Sequence, residues 1–144
     1  MEELFTRSNA LLSDAEGLRL RMYKDTTGHW TIGYGHNLEA KGISKKIAKL
    51  ILEEDVNDTI SECKEKIPFF SQLDVPRQYV LVNMAFNMGI GGLLSFVRML
   101  NALNNRDYPE AAKELENSLA NRQVPNRIYP LIKILESGKF PDKN

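Results

Sequence analysis

Apolar positions recur along the chain with changing periods, and the changes mark its elements. Leu4, Phe5, Leu11, Leu12 and Ala15 give residues 2–16 an irregular apolar face, and Gly17 follows where a helix C-cap is wanted. A first helix is therefore predicted there. From Leu18 to Leu38 the strand formers Tyr23, Trp30, Thr31, Ile32 and Tyr34 flank Asp25-Thr26-Thr27-Gly28, which is turn chemistry. This predicts a small antiparallel hairpin or meander. Gly42 closes it, and Ser44 is placed to N-cap a long helix to about Lys66.

On that helix the apolar stripe changes sides. Ile47, Leu50 and Ile51 cluster on one face; Leu52, Val56, Ile60, Cys63 and Ile67 cluster opposite. A helix packed on one core keeps one stripe, so two cores met in succession are expected. The first group should pack on the hairpin strands and the second in a helical lobe. Residues 75–88 are apolar nearly all round after their first turn, as a central buried helix is. Gly89 and Gly91-Gly92 break it, and Leu93 to Leu103 form the next amphipathic stretch. Asp107 with Glu110 is a capping box for a helix to about Leu119, and Pro125 opens a last helix ending near Gly138. The expected fold class is α+β: a single domain with a small β-containing lobe over 1–43, a connecting helix over 44–66 and a larger helical lobe over 67–144. The first helix is expected to pack on the helical lobe too, and a cleft to lie between the lobes.

Composition narrows the function. The 144 residues contain 19 Lys+Arg and 19 Asp+Glu, so no basic excess is available to neutralise nucleic-acid phosphates. One cysteine, Cys63, excludes an internal disulfide, and two histidines beside it are too few for a structural zinc site. No metal, cofactor, nucleic-acid or membrane partner is expected, and the chain reads as a monomer. Its start, Met-Glu-Glu-Leu-Phe-Thr-Arg-Ser, has acids where a signal peptide has bases, and no apolar run approaches a membrane span. The expectation is synthesis in the cytoplasm.

The residues that could carry chemistry are few. There is no Gly-x-Ser-x-Gly elbow and no phosphate-binding Gly-x-x-x-x-Gly-Lys loop. Glu16 falls at the end of the first helix, where the negative end of the macrodipole favours the protonated form a general acid needs. Asp25, nine residues on, falls in a polar turn with Thr26, Thr27 and Thr31 nearby and should stay ionised. Two carboxylates in unlike environments are the minimal equipment of a glycosidase. On spacing alone the plainer reading, a surface acid and a turn former, is the stronger. Along the strand after the turn, Thr31, Gly33 and Gly35 share a nearly bare face, and Trp30, Ile32, Tyr34 and His36 share the other. A sugar ring could lie on the bare face, or the glycines could simply ease a bend. His36 lies with the apolar set and reads as structural, and His29 as solvated. Asn83 and Asn87, at i and i+4, line a cleft or bond to backbone.

The run from Glu16 to His36, with its Glu, eight residues, Asp, five residues, Thr spacing, strongly resembles the phage lysozyme family. Asn83-Met-Ala-Phe-Asn-Met-Gly89 and Gln123-Val-Pro-Asn-Arg127 agree in the right order. The resemblance reverses the plainer reading. It implies a two-lobed fold and a muramidase that hydrolyses the β-1,4 bond between N-acetylmuramic acid and N-acetylglucosamine in peptidoglycan glycan strands. It makes Glu16 the acid and Asp25, with Thr31, the group that positions and activates water, with inversion at the anomeric carbon. Arg127 matches an arginine that reaches the catalytic glutamate, and His36 a histidine paired with Asp55. Asn37, Phe86, Asn87, Phe96 and Glu114 match substrate-cleft positions. An endolysin of this kind would reach the wall once the membrane is permeabilised. The linker from Leu38 to Ser44 is shorter than the family's, Leu119-Ala120 replaces aromatics, and Pro130 falls inside the last helix. A lytic transglycosylase or an inactive peptidoglycan-binding module are the rival readings; the first needs no Asp25 or Thr31, and their presence argues against both.

Overall fold

The computed structural model describes residues 1–142. The chain divides into two compact units, Met1–Leu50 and Ile51 onward, with the division inside one long helix.

The first unit opens with α1 (Glu2–Glu16). It ends at Gly17, whose N–H bonds to the Ser13 carbonyl and whose φ of 70° suits a residue without a Cβ. None of its side chains is buried, Leu4, Phe5, Leu11 and Leu12 included. A three-stranded antiparallel sheet follows: β1 (Arg19–Lys24), β2 (Trp30–Gly33) and β3 (His36–Asn37), in that order. The register pairs Tyr23 with Thr31 and Thr31 with Asn37, so Thr31 sits on the middle strand and is buried. Between Arg19 and Tyr23 the β1 edge is irregular: four steps on β1 match two on β2. The continuous strand expected from Trp30 through His36 is not formed. β2 stops at Gly33 (φ 70°), and Tyr34-Gly35 turn the chain into β3, so Gly35 belongs to a turn rather than to a strand face. A one-turn helix, α2 (Leu38–Lys41), was not anticipated. Asn37 N-caps it, its Oδ1 accepting from the Ala40 N–H at 3.0 Å.

The long helix α3 (Lys45–Lys66) starts as expected, with Ser44 Oγ accepting from the Ile47 N–H at 3.2 Å. The apolar stripe of its first half does not find the expected strand contacts, since Ile47 and Leu50 stand exposed. Each strand beyond β1 is only two to four residues long and offers little apolar surface to cover them.

The second half of α3 begins the second unit, where Cys63 and Ile67 enter a continuous apolar core. A 3-10 turn (Phe70–Gln72) leads into α4 (Val75–Leu94), the central helix, which buries Val80, Leu81 and Met84 completely. Gly89, at φ 80° and ψ 160°, interrupts it as expected. The next helix starts later than the pattern suggested: α4 runs to Leu94, Ser95-Phe96 turn, and α5 spans Val97–Asn104. In α6 (Tyr108–Glu116) Asp107 accepts from the Glu110 N–H at 3.2 Å, and a separate short α7 (Leu119–Gln123) follows under a Ser118 cap. The last helix, α8 (Pro125–Ser137), is closed by Gly138 in the left-handed conformation. Pro130 lies in its second turn and α8 runs through it. The missing N–H forgoes one helical bond, a placement that costs about 3 kcal/mol in a helix interior. Burial pushes the Cys63 thiol up to about 11, so it behaves as a core hydrophobe. Among the described residues no single helix is long and apolar enough to cross a membrane.

Candidate active site

Asp25 terminates β1, and the turn folds around its carboxylate. Its Oδ1 accepts three hydrogen bonds: from the Thr27 N–H (2.9 Å), the Thr27 hydroxyl (2.8 Å) and the His29 N–H (2.9 Å). The backbone closes the same loop, with the Asp25 N–H donating to the His29 carbonyl and the Gly28 N–H to the Asp25 carbonyl. This is why Asp, a short acceptor that can bond residues just ahead of it, stands at the head of Thr-Thr-Gly. The His29 N–H and then the Thr27 hydroxyl hold the Asp25 carboxyl below its ordinary 3.8. Thr31, on β2, donates its hydroxyl to the His29 carbonyl at 2.9 Å.

Glu16, the last residue of α1, faces the Tyr34-Gly35 turn. A Cβ on Gly35 would sit 2.9 Å from Glu16 Oε2 and 3.2 Å from its Cδ. Gly35 also has φ 74°, so its lack of a side chain is required twice, by backbone conformation and by the carboxylate against it. Glu16, Asp25 and Thr31 line one open cavity of about 430 Å³ with Arg19, Tyr23, Lys24, Thr26 and Gly35. The Arg19 guanidinium lies 4.8 Å from the Tyr23 ring centre, and the Lys24 ammonium 5.2 Å from that of Trp30, its cross-strand partner. Two carboxylates, two cations, an aromatic and two threonines thus line one pocket. That suits a neutral polyhydroxylated ligand better than a strongly charged one.

The depressed Asp25 pKa has a sign. Stability linked to Asp25 is present above the pKa of an unfolded aspartate and is lost as pH falls through the lower folded value. The stability difference between the parent and Asp25→Asn should therefore hold constant from neutral pH down to about pH 4 and close below it. Urea unfolding across pH measures this; a difference unchanged down to pH 2 would contradict it.

The other candidates are placed as follows. Asn37 carries the α2 cap. His36, expected to be structural, has Nε2 2.6 Å from the Gly42 carbonyl. Asp55 lies on α3, where its own carbonyl accepts from the Thr59 hydroxyl. On α4, Asn87 Nδ2 donates to the Asn83 carbonyl and side chain, and Asn83 to the Tyr79 hydroxyl, so the two asparagines share one face. Phe86 and Asn87 line a small apolar cavity of about 180 Å³ with Leu52, Val56 and Val82. Phe96 and Glu114 line another of about 470 Å³ with Arg98 and Asn117. Asn87, Phe96, Leu119, Ala120 and Arg127 line a third, of about 370 Å³. His29 is not merely solvated: its Nδ1 lies 3.3 Å from Glu39 Oε2. Glu39 itself went unnoticed in the sequence. An acid two residues after an asparagine that can cap a helix turn was the available signal.

The phage lysozyme family matches residues 13–126. A T4-type lysozyme of Dictyostelium discoideum is 31% identical, the similarity covering 89% of this chain and 92% of that protein. An endolysin of Acyrthosiphon pisum secondary endosymbiont phage 1 is 32% identical over 72% of this chain and 71% of its own length. The pre-baseplate central spike protein of Enterobacteria phage T4 is 31% identical over 90% of this chain but only 28% of its own length. The match takes in Glu16, Asp25 and Thr31 and most of both units, and the chain belongs to the phage lysozyme family. It is a lysozyme-type peptidoglycan hydrolase.

Proposed function

We propose that the chain is an N-acetylmuramidase cleaving the β-1,4 bond between N-acetylmuramic acid and N-acetylglucosamine, with inversion. Glu16 protonates the leaving glycosidic oxygen. Asp25 and Thr31 hold the attacking water on the other face of the sugar. Three donors occupy Asp25 Oδ1, and Oδ2 carries no hydrogen bond among the described residues, so Oδ2 is the oxygen offered to water. The Thr31 hydroxyl spends its proton on the His29 carbonyl, which leaves its lone pairs to accept from the same water. As water attacks the anomeric carbon, its proton passes to Asp25 and the C–O bond breaks toward the proton of Glu16. A carboxylate held below the ordinary range is a weak base, so Asp25 contributes mainly by orienting the water. Asn37, Phe86, Asn87, Phe96 and Glu114 are the proposed glycan contacts, and Arg127, His36 and Asp55 the supporting residues. The enzyme acts on the wall after the membrane has been permeabilised.

The observation that carries this reading is the convergence of Glu16, Asp25 and Thr31 on one cavity with Asp25 kept ionised. Purified protein should clear a suspension of permeabilised Gram-negative cells and release glycan fragments with reducing ends. A 1,6-anhydro end would mean transglycosylation, and no fragments at all would leave only binding. Proton NMR of the freshly cut end should show the α anomer first if the reaction inverts.

Gly35→Ala tests the approach of Glu16. The added methyl would overlap the Glu16 carboxylate on a backbone that resists a side chain. The variant should fold and lose on the order of 10²-fold in kcat, the scale of a misplacement of about 1 Å. Activity equal to that of the parent would show that Glu16 does not work from this position.

A further inference from the structure

We propose that Glu39 is a positioning residue for Asp25, locking the turn that presents the Asp25 carboxylate to water. The proposal rests on the reading of Asp25 as the water-holding group. Glu39 lies in the first turn of α2, outside the Glu16–His36 run that carries the catalytic spacing. It reaches across the sheet end with both oxygens. Oε1 accepts from the Trp30 N–H at 2.9 Å and Oε2 lies 3.3 Å from His29 Nδ1. His29 and Trp30 are the residues where the turn becomes β2. The His29 N–H is one of the three donors to Asp25 Oδ1, and the His29 carbonyl binds both the Asp25 N–H and the Thr31 hydroxyl.

The side-chain hydrogen bond that orients the Thr31 hydroxyl, and two of those that fix Asp25, therefore run through His29, and Glu39 clamps His29 and its neighbour. Without it Trp30, the first residue of β2, would be held by its pairing with Lys24 at the end of β1, while the pairing with β3 begins only at Thr31. Asn37, capping α2 through Ala40, in turn sets where Glu39 stands. This gives the Leu38–Lys41 helix a task in a lobe that has little core to organise it. The Trp30 N–H and the His29 side chain hold the Glu39 carboxyl below its ordinary value, as a working double acceptor would be.

Charge must be separated from geometry in the test, because Glu39 and Asp25 repel each other through space. Glu39→Gln and Glu39→Ala remove the same charge, but glutamine keeps an oxygen for the Trp30 N–H. Carbon-detected NMR titration of Asp25 and steady-state hydrolysis of peptidoglycan are read on both variants and the parent. Glu39→Ala should titrate Asp25 at higher pH than Glu39→Gln does, because only alanine loosens the donors to Oδ1. It should also lower kcat between about ten- and a hundredfold relative to Glu39→Gln, with KM nearly unchanged. Identical Asp25 titrations in the two variants would overturn the proposal, as would different titrations with equal kcat. If no protein, parent included, cuts peptidoglycan while the titrations still differ, the clamp stands and the hydrolytic reading falls.

Discussion

Glu16→Gln is expected to fold as the parent does and to lose about 10²–10⁴-fold or more of its hydrolytic activity, the scale set by removal of a general acid. The folding half of this expectation is local. Gln and Glu have nearly equal helix propensity, Glu16 makes no hydrogen bond to a described residue, and the amide fits the space that Gly35 leaves. The chemical half follows from what the amide lacks. It can donate a hydrogen bond to the glycosidic oxygen but cannot transfer a proton to it, so the leaving alkoxide must depart unprotonated. KM should change little while kcat collapses, because the lost interaction is made in the transition state. Circular dichroism and a thermal melt establish folding, and release of reducing ends measures the reaction. Lysis by folded Glu16→Gln at near the parent rate would remove Glu16 from the acid role and with it the proposed mechanism.

Much of this site could be read in the sequence because its parts are close along the chain. Asp25-Thr26-Thr27-Gly28 announces a turn, and a carboxylate that accepts from Thr27 and His29 is a contact over two and four residues. Gly17 and Ser44 likewise mark helix ends by local geometry. What could not be read depends on where strands stop and on partners further away. Nothing in Trp30-Thr31-Ile32-Gly33-Tyr34-Gly35 says that pairing ends at Gly33, since either glycine is compatible with a strand. The bare strand face expected for Gly35 became instead the space against Glu16. The stripe of Ile47 and Leu50 identified an apolar side of α3, but periodicity reports the side and not whether a surface exists to meet it. Glu39 went unread because α2 is a single turn, too short to leave a period, and because its targets lie nine and ten residues back across the sheet.

Arg77 is the longest-range case, and Arg77→Leu is expected to destabilise the second unit by about 3–5 kcal/mol, the range for removing one member of a buried charged network. Arg77 stands in the first turns of α4, the one charged residue of a largely apolar helix, with a side chain only 10% exposed. Its Nε donates to the Leu135 carbonyl at 2.9 Å and its Nη2 to the Glu136 carbonyl at 3.2 Å, 58 and 59 residues on. These are last-turn carbonyls of α8, which have no partner within their own helix, and a cation there also meets the negative end of the helix. Nη1 binds Asp74 at 3.2 Å, and the guanidinium lies 3.5 Å from the Tyr108 ring centre, tying α6 to the same point. Gly138 completes the cap: a Cβ there would fall 2.7 Å from Nη1. An exposed Arg–Asp pair would contribute at most about 1 kcal/mol. Here leucine would leave two carbonyls and Asp74 Oδ1 without their donor, beside an Asp74 Oδ2 that is already buried without a partner. Arg77→Lys should recover only part of the loss, because one ammonium cannot reproduce a planar fork that serves two helices. Asp74→Asn, which keeps an acceptor at a half-exposed site, should be mild by comparison. Urea unfolding of the three variants gives the order, and a change below about 1 kcal/mol for Arg77→Leu would show that water, not Arg77, satisfies the end of α8.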